Sequence, residues 1–287
     1  MTIARILVPV RDDGKARGVF AHAAALARRA NAHVECVHCR ARAEDFMPFG
    51  VNVPRGLRET LRQAAQSYAA SQEEDLAKRF RERLAEHDLE ETPLDAPPAG
   101  RASASLEEVE GKMAEVIRAR GRLADIVAVA KPARDRNIGE NSLRAALFQT
   151  GRPVLMCPPG DTLAADPGSH VAVAWNGALE ATRAVALATP LLRLADRVSV
   201  LDGAEPNTRV SGDALVTYLA AHGVTARATR LEAGRDPGRA ILEAAAGLGA
   251  SLVVSGAYGH SREHETVFGG ATQTMVDTAR LAVMMTH

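Results

Sequence analysis

The glycine-rich stretch at 256–272, GAYGHSREHETVFGGAT, carries the residues whose types and spacing best suit ligand chemistry. Its glycines follow the spacing G-x2-G-x9-G-G, after an apolar run typical of a strand and before an amphipathic run typical of a helix. A glycine-bearing loop between strand and helix presents backbone N–H groups to an anion at the helix N-terminus. Glycine also lets a ligand approach the backbone closely, because it has no Cβ. Taken alone, these residues fit a phosphate-binding loop and an ordinary β-to-α loop equally well.

Two further groupings have the spacing of metal ligands. Cys36 and Cys39 form a C-x-x-C, but they lie in a segment rich in strand formers, where residues three apart point to opposite faces. We therefore interpret both as buried sheet cysteines rather than zinc or redox ligands. His260 and His264 would share one face of a helix, a zinc-like spacing, although a polar loop is the simpler interpretation. We predict no metal site.

The sequence motifs of common hydrolases are missing. No Lys follows the glycines as it does in the P-loop, and there is no G-x-S-x-G nucleophile elbow. No general base is placed by spacing either. The sequence therefore predicts a binding protein rather than an enzyme.

Composition and charge narrow the classes of partner. Lys plus Arg and Asp plus Glu number 35 each, so no net field attracts nucleic acid or an anionic membrane. Aromatic residues make up only 3% of the chain, which argues against base stacking with a nucleic acid. The sequence shows neither a basic-then-apolar leader nor an apolar run of about 18 residues. We expect a soluble cytoplasmic protein that binds neither nucleic acid nor membrane.

The elements that must position the glycine-rich stretch alternate between strand and helix over 287 residues, a length typical of two domains. In the first half we predict strands at 3–10, 33–39, 90–94, 126–130 and 153–157, and helices at 16–30, 57–84, 104–120 and 142–149. After a linker-like segment at 160–169 the pattern repeats, with strands at 171–175, 198–201, 225–231, 251–255 and 281–286 and helices at 179–194, 209–222, 237–248 and 267–279. This duplicated order predicts an α/β fold with parallel sheets and right-handed crossovers.

The spacing G-x2-G-x9-G, together with the runs GAYGHSR and GGAT, resembles the nucleotide-loop motif of the universal stress protein family, in its type with two domains in one chain. The resemblance covers both halves and implies two tandem doubly wound parallel five-stranded sheets, Rossmann-like and adenine nucleotide alpha hydrolase-like, with strand order 3-2-1-4-5. It implies domains at 1–160 and 165–287, with the motif lost from the first. The implied ligand is ATP or another adenine nucleotide, bound beyond the carboxyl ends of strands 1 and 4.

The candidate site residues follow from this resemblance. In the family pattern the loop backbone holds the phosphates, the first glycines border the ribose, and strands 1 and 2 end beside the adenine. One arginine of the loop is added because its guanidinium fork matches phosphate oxygens. The predicted cofactor-binding residues are Asn176, Leu201, Gly256, Gly259, Arg262, Gly269, Gly270, Ala271 and Thr272.

The sequence departs from the family pattern at two of these positions. Gly270 stands where the pattern has Ser or Thr, although Thr272 lies two residues on, and Asn176 replaces an Asp at the end of strand 1. The loop after strand 4 of the first half lacks G-x2-G and offers basic side chains instead, namely Lys131, Arg134 and Arg136. We therefore predict that any nucleotide site lies in the second half.

Three functions remain open from the sequence. The first is a stress-response module that binds ATP and whose occupancy alters dimerisation or contacts with an unidentified protein partner. The second is a scaffold without nucleotide, which Gly270 and Asn176 favour; the third, with least support, is a slow ATPase or an ATP-using transferase. By the same resemblance, the apolar fifth strands at 153–157 and 281–286 should pair antiparallel and join the halves as an internal pseudo-dimer. Two such chains are expected to form a homodimer.

Overall fold

The strands of both halves join in one sheet. The computed structural model describes residues 2–10, 16–40, 74–133, 139–160, 163, 166–204, 210–232, 234–258 and 270–287. The first half contains β1 (Arg5–Val10), α1 (Ala16–Ala30), β2 (His33–Arg40), α2 (74–87), β3 (Glu90–Glu91), β4 (Ser103–Glu110), α3 (Met113–Gly121), β5 (Ile126–Ala130), α4 (Glu140–Gln149) and β6 (Val154–Cys157). The second half contains β7 (His170–Trp175), α5 (Leu179–Leu192), β8 (Arg197–Asp202), α6 (Gly212–Ala221), β9 (Ala226–Arg230), α7 (Pro237–Gly247), β10 (Leu252–Gly256), α8 (Gly270–Thr278) and β11 (Ala282–Thr286).

The strand order confirms the predicted fold class. In the described residues the sheet runs β3-β4-β2-β1-β5-β6-β11-β10-β7-β8-β9, so each half contains the order 3-2-1-4-5. Neighbouring strands within each half are parallel. Short apolar strands buried on both faces, such as Val154–Cys157, are typical of parallel sheets covered by helices. The domain limits at 1–160 and 165–287 stay a prediction.

The third strand of the first half corrects the sequence prediction. The segment predicted as a helix at 104–120 is instead β4 followed by the shorter helix α3, and the strand predicted at 90–94 is only the two-residue edge strand β3. Glutamate and leucine favour helix in isolation, but β4 pairs with β2 along its whole length. That pairing brings Glu107 to Arg120, whose two terminal nitrogens each donate to its carboxylate at 2.6 Å. Tertiary contacts therefore override the local preference for helix.

The junction of the halves is the one antiparallel strand pair among the described residues. In it β6 lies against β11, with Met156 opposite Val283 and Val154 opposite Met285. Neither fifth strand is left as an exposed edge, which removes the aggregation hazard of an unpaired apolar strand. The predicted internal pseudo-dimer is confirmed.

Packing on the two faces of the sheet also continues across the junction. One core cluster joins α1 of the first half to α5 of the second, and a cluster on the other face joins α4 to α7 and α8. Arg29 of α1 adds polar contacts to the second half, donating to the carbonyl of Leu194 at 2.8 Å and to the carboxylates of Asp166 and Asp196 at 2.6 and 2.9 Å. The halves therefore share both their sheet and their core.

The structure tests the predicted placement of Cys36 and Cys39 on opposite faces of the sheet, and its helices can be compared with the length of a membrane span. Cys36 is buried in the first core cluster, whereas the Cys39 thiol lies 3.5 Å from the sulfur of Met113, which packs against the second cluster. The two thiols therefore face opposite sides of the sheet, as the spacing predicts. Among the described helices, none is both long and apolar enough to cross a membrane.

Candidate functional site

A cavity of about 370 Å³ opens at the carboxyl ends of β7, β8 and β10 in the second half. In a doubly wound sheet the crevice between strands 1 and 4 is the topological switch point, where ligands bind. The residues that line the cavity are Ala174, Trp175, Asn176, Ala178, Glu180, Ala181, Leu201, Gly203, Leu231, Pro237, Ile241, Ser255, Gly256, Tyr258, Gly270, Ala271, Thr272 and Met275.

Three helices begin at this cavity. Ala178 is the N-cap residue of α5, Pro237 is the first residue of α7, and Gly270 is the first residue of α8. The first N–H groups of a helix have no intrahelical acceptor, and the helix dipole places partial positive charge there.

Side chains cap two of these ends, because Asn176 accepts the Ala178 N–H at α5 and Asp236 accepts the Arg239 N–H at α7. The end of α8, with no acidic residue in its first turn, is therefore the one that most favours an anion. Glu180, in the first turn of α5, brings a carboxylate to the same wall and weakens that preference on its side.

The rest of the lining is mainly apolar. Leu201 from β8 is 1% exposed and Ile241 from α7 is 9% exposed, and both face the cavity together with Leu231. An apolar wall opposite a few polar groups is the usual composition of a small-molecule site. A flat apolar ring would bury its faces against these side chains, while a charged group would lie at the helix ends.

Asn176 lies at the cavity rim with its side-chain oxygen already engaged. Its Oδ1 accepts the backbone N–H of Ala178 at 3.0 Å, which is an Asx turn at the start of α5. The amide therefore acts first as a cap for the helix that borders the cavity. A ligand at this rim would meet the amide NH2 of Asn176 rather than a negative acceptor.

Gly256 and Gly270 line the same cavity for different reasons. A Cβ at Gly256 would lie 2.6 Å from the carbonyl carbon of Glu180 and 2.7 Å from the nitrogen of Ala181. Glycine at 256 therefore lets α5 of the same chain approach β10, rather than a ligand. Among the described residues, a Cβ at Gly270 would meet nothing within 4 Å, so none of them excludes a side chain there.

A hydrogen bond joins Tyr258, just after β10, to Thr272 of α8. The backbone N–H of Tyr258 donates to the Thr272 hydroxyl oxygen at 3.3 Å, and Thr272 is only 5% exposed. Tyr258 has a φ of 65°, a left-handed conformation that is uncommon for a non-glycine residue. Burial raises the pKa of the Tyr258 hydroxyl well above its usual range. The Thr272 hydroxyl thus supports the cavity wall through Tyr258.

Trp175 and Asp202, at the ends of β7 and β8, hold the chain around the cavity. The indole N–H of Trp175 donates to the carbonyl of Val210 at 2.7 Å, and its side chain is 8% exposed. Asp202 accepts the N–H of Ala204 at 3.0 Å and fixes the turn after β8. Trp175 is therefore held at the edge of the sheet where β7 ends.

The corresponding region of the first half is built differently. Lys131, a candidate for attracting phosphate, donates to the carbonyl of Ala279 at 3.0 Å and so serves the contact between the halves. Helix α4 carries Glu140 in its first turn, where its charge opposes an anion, whereas the first turn of α8 has no acidic residue. Arg134 and Arg136 lie outside the described residues. These features favour the second half as the binding half.

The structure brings together six of the predicted site residues. Asn176, Leu201, Gly256, Gly270, Ala271 and Thr272 all line the cavity. Gly259, Arg262 and Gly269, together with His260 and His264, lie outside the described residues. Sequence reasoning missed Tyr258, Leu231, Pro237 and Ile241, which also line the cavity. The spacing of Pro237 and Ile241 places them on one face of α7, and the order of the strands would have directed that face to the cavity.

Solved structures share this fold over nearly the whole chain. A universal stress protein from Archaeoglobus fulgidus is 13% identical, with 98% of this chain and 97% of that chain covered and a TM-score of 0.67. A provisionally named universal stress protein from Pseudomonas aeruginosa is 16% identical, with 99% and 93% covered and a TM-score of 0.55. The cytoplasmic domain of a prokaryotic cation chloride cotransporter is 12% identical, with 99% and 95% covered and a TM-score of 0.50. No protein-family model and no curated protein matches the chain.

These likenesses establish the fold. The chain has the tandem α/β fold of universal stress proteins, as the sequence resemblance predicted. The same fold also occurs in a transporter's cytoplasmic domain, so function must be argued from the site.

Proposed function

We propose that this chain is a tandem universal stress protein that binds ATP or another adenine nucleotide in the cavity of its second half. The observation that carries the proposal is the 370 Å³ cavity at the switch point, where the ends of three helices meet an apolar wall. The helix ends supply N–H donors and partial positive charge for phosphates. The side chains of Leu201, Leu231 and Ile241 supply apolar surface for a purine.

The proposed role is binding rather than catalysis. Occupancy would alter the association of two tandem chains or their contact with a protein partner, in the cytoplasm. Among the described residues that line the cavity, Glu180 is the one carboxylate, and neither a histidine nor a cysteine is present. Turnover of ATP would require an activated nucleophile or a general base, and we assign neither role to these residues.

A scaffold without nucleotide is the second candidate. Asn176 favours it, because its Oδ1 is already committed to the Ala178 N–H and offers a ligand no carboxylate. Glu180 favours it too, because it places negative charge at the cavity wall. Under this alternative the cavity would be a remnant of the fold rather than a binding site.

A nucleotide-binding assay on the full chain separates the two. Native mass spectrometry of the purified protein would reveal a co-purified nucleotide, and calorimetry with ATP, ADP and GTP would measure affinity. Gly203 lines the cavity and a Cβ there would meet only the Trp175 carbonyl oxygen, at 3.6 Å, so Gly203→Leu should fold and obstruct the site. We expect it to weaken ATP binding by about tenfold or more, or ~1.4 kcal/mol.

Gly247→Leu is the matched control. Gly247 lies in α7, does not line the cavity, and a Cβ there meets nothing within 4 Å. This variant should bind ATP like the unmodified chain. If the unmodified chain carries no nucleotide and shows no heat of binding with any of the three, the scaffold alternative replaces the proposal.

A further inference from the structure

Tyr258 connects the cavity of the second half to a helix of the first half. It is one of the residues that line the cavity of the second half, and its ring packs against Phe148 of the first-half helix α4. The two ring centroids lie 5.0 Å apart with an interplanar angle of 48°. Aromatic pairs at this separation contribute beyond the area they bury. A residue of the first half therefore contacts a wall of the second-half site.

His287 completes an aromatic cluster with these two residues. Its ring centroid lies 4.9 Å from that of Phe148 and 6.3 Å from that of Tyr258. Its Nδ1 donates to the carbonyl of Ala257 at 3.2 Å, next to Tyr258 in the chain. The aromatic cluster, defined as Phe148, Tyr258 and His287, thus fixes the chain where β10 ends and the loop begins.

The conformation of Tyr258 makes these contacts consequential. Its positive φ is costly for a side chain with a Cβ, so the surroundings must hold it. The described surroundings are the Thr272 hydroxyl on one side and the aromatic cluster on the other. Thr272 itself lies in the first turn of α8, so a shift of Tyr258 would also disturb the helix end at the cavity.

We propose that Phe148 is a positioning residue for the second-half site: it holds Tyr258 in the conformation that shapes the cavity. The first half, whose corresponding loop lacks the G-x2-G spacing, would then contribute to the site through α4. Phe148 does not itself line the cavity and is 41% exposed, so it acts through Tyr258. The nucleotide part of this inference rests on the proposed function.

The test compares Phe148→Ala with a control of the same kind in the full chain. Tyr218 of α6 is the control: it is 45% exposed, its ring contacts His222 at 4.5 Å, and it does not line the cavity. We expect Phe148→Ala to weaken ATP binding about three- to tenfold, as loss of an aromatic contact implies. Phe148→Tyr, which keeps the ring, should restore affinity, and Tyr218→Ala should leave it unchanged. Equal affinity for Phe148→Ala and the unmodified chain, or equal loss in Tyr218→Ala, would overturn the inference.

Hydrogen exchange without ligand keeps the test independent of nucleotide binding. In Phe148→Ala the amide of Tyr258, bonded to the Thr272 hydroxyl, should exchange faster, while Tyr218→Ala should leave its rate unchanged. If the unmodified chain binds no nucleotide, the proposed function fails, and the exchange rates alone decide the positioning role. Unchanged exchange at Tyr258 in Phe148→Ala would refute that role whether or not ATP binds.

Discussion

Gly256 and Gly270 both line the cavity, yet an added side chain would meet opposite surroundings at the two positions. At 256 it would collide with the backbone of α5, and at 270 it would meet none of the described residues within 4 Å. The sequence motif places Gly256 beside the ribose, whereas Gly270 stands where the motif has Ser or Thr. The structure instead assigns Gly256 to packing of the chain on itself, and it places no described residue where a side chain at 270 would begin.

Alanine at each glycine separates these roles. Gly256→Ala should lower the free energy of unfolding by about 1–3 kcal/mol, the usual cost of overpacking, because α5 must move away from β10. Gly270→Ala is the matched control and should be neutral or slightly stabilising, since alanine favours helix over glycine. Denaturant unfolding of the two variants measures both effects. Equal stabilities would contradict the packing role of Gly256.

Ser and Asp at position 270 test the proposed phosphate contact at the same site. Gly270→Ser should tighten ATP binding, because one hydrogen bond to a charged group is worth roughly 1.5–3 kcal/mol. Gly270→Asp should weaken ATP at least about tenfold through charge repulsion. A carboxylate in the first turn of a helix does not destabilise the fold, since its negative charge is attracted to the positive end of the helix dipole. Calorimetry on each variant measures ATP affinity, and thermal unfolding checks that stability is unchanged. Normal ATP binding by Gly270→Asp would show that the phosphates do not lie beside position 270.

At the scale of elements, the sequence predicts most strands and helices because their apolar periods are clear. The short apolar runs give β1, β5 and β10, and the order of elements gives the two repeated halves. The failure at 104–120 has a physical cause, because a Glu-rich segment carries helix propensity and its strand partners are distant in sequence. In the pairing of β4 with β2, Ser103 lies opposite His33, which is about seventy residues away in the sequence. No local sequence pattern predicts that contact.

In the candidate site, too, the sequence predicts the features that depend on local pattern and misses those that depend on tertiary contacts. Glycine spacing and strand order direct attention to the cavity, and six predicted residues line it. The Asx turn of Asn176 and the contact of Tyr258 with Phe148 depend on how two elements meet in space. Such contacts are set by tertiary packing, so residue types and spacing do not reveal them.

The junction strand β11 is bonded on both sides, to β10 within its half and to β6 of the other half. Val283 is the second residue of this strand, pairs with both neighbouring strands and is fully buried. Proline at this position would lose a backbone donor in a central strand, which sheets do not tolerate. Val283→Ala is the matched control, because it removes only side-chain volume, at a cost of about 2 kcal/mol.

We expect Val283→Pro to destabilise the chain by at least about 1 kcal/mol more than Val283→Ala, the worth of one hydrogen bond. Because the strand and both core clusters are shared, the two halves should lose stability together in one transition. Calorimetric and spectroscopic unfolding curves for the two variants would show whether the transitions coincide. Two independent transitions, with the first half unshifted by proline, would show that the halves are not coupled through this strand.

At the scale of the whole molecule, buried histidines link folding to pH. His22 in α1 and His33 in β2 are 6% and 3% exposed. Burial lowers the pKa of both imidazoles from the ordinary value of 6.5, because desolvation penalises the charged form. The Nδ1 of His22 donates to the carbonyl of Gly18 at 2.8 Å, and His33 lies between the hydroxyls of Ser103 and Ser105. Folding therefore favours the neutral form of both rings.

The sign of the pH dependence follows from these directions. Well above pH 6.5 the rings are neutral in both states, so the full stability is present. As the pH falls through 6.5 toward the lowered pKa, the unfolded chain takes up protons before the folded chain does. The free energy of unfolding should therefore decrease between about pH 7 and pH 5. A second decrease should begin below about pH 4.5, because hydrogen bonds from Arg120 lower the pKa of Glu107 and its protonation in the unfolded chain precedes that in the folded one.

Urea unfolding at intervals from pH 8 to pH 3 covers both windows, and the double variant His22→Gln with His33→Gln should reduce the decrease in the upper one only. Part of that decrease should remain, because burial also lowers the pKa of His87 and His170. Stability that stays constant or rises between pH 7 and pH 5 would show that the imidazoles are not held neutral by burial.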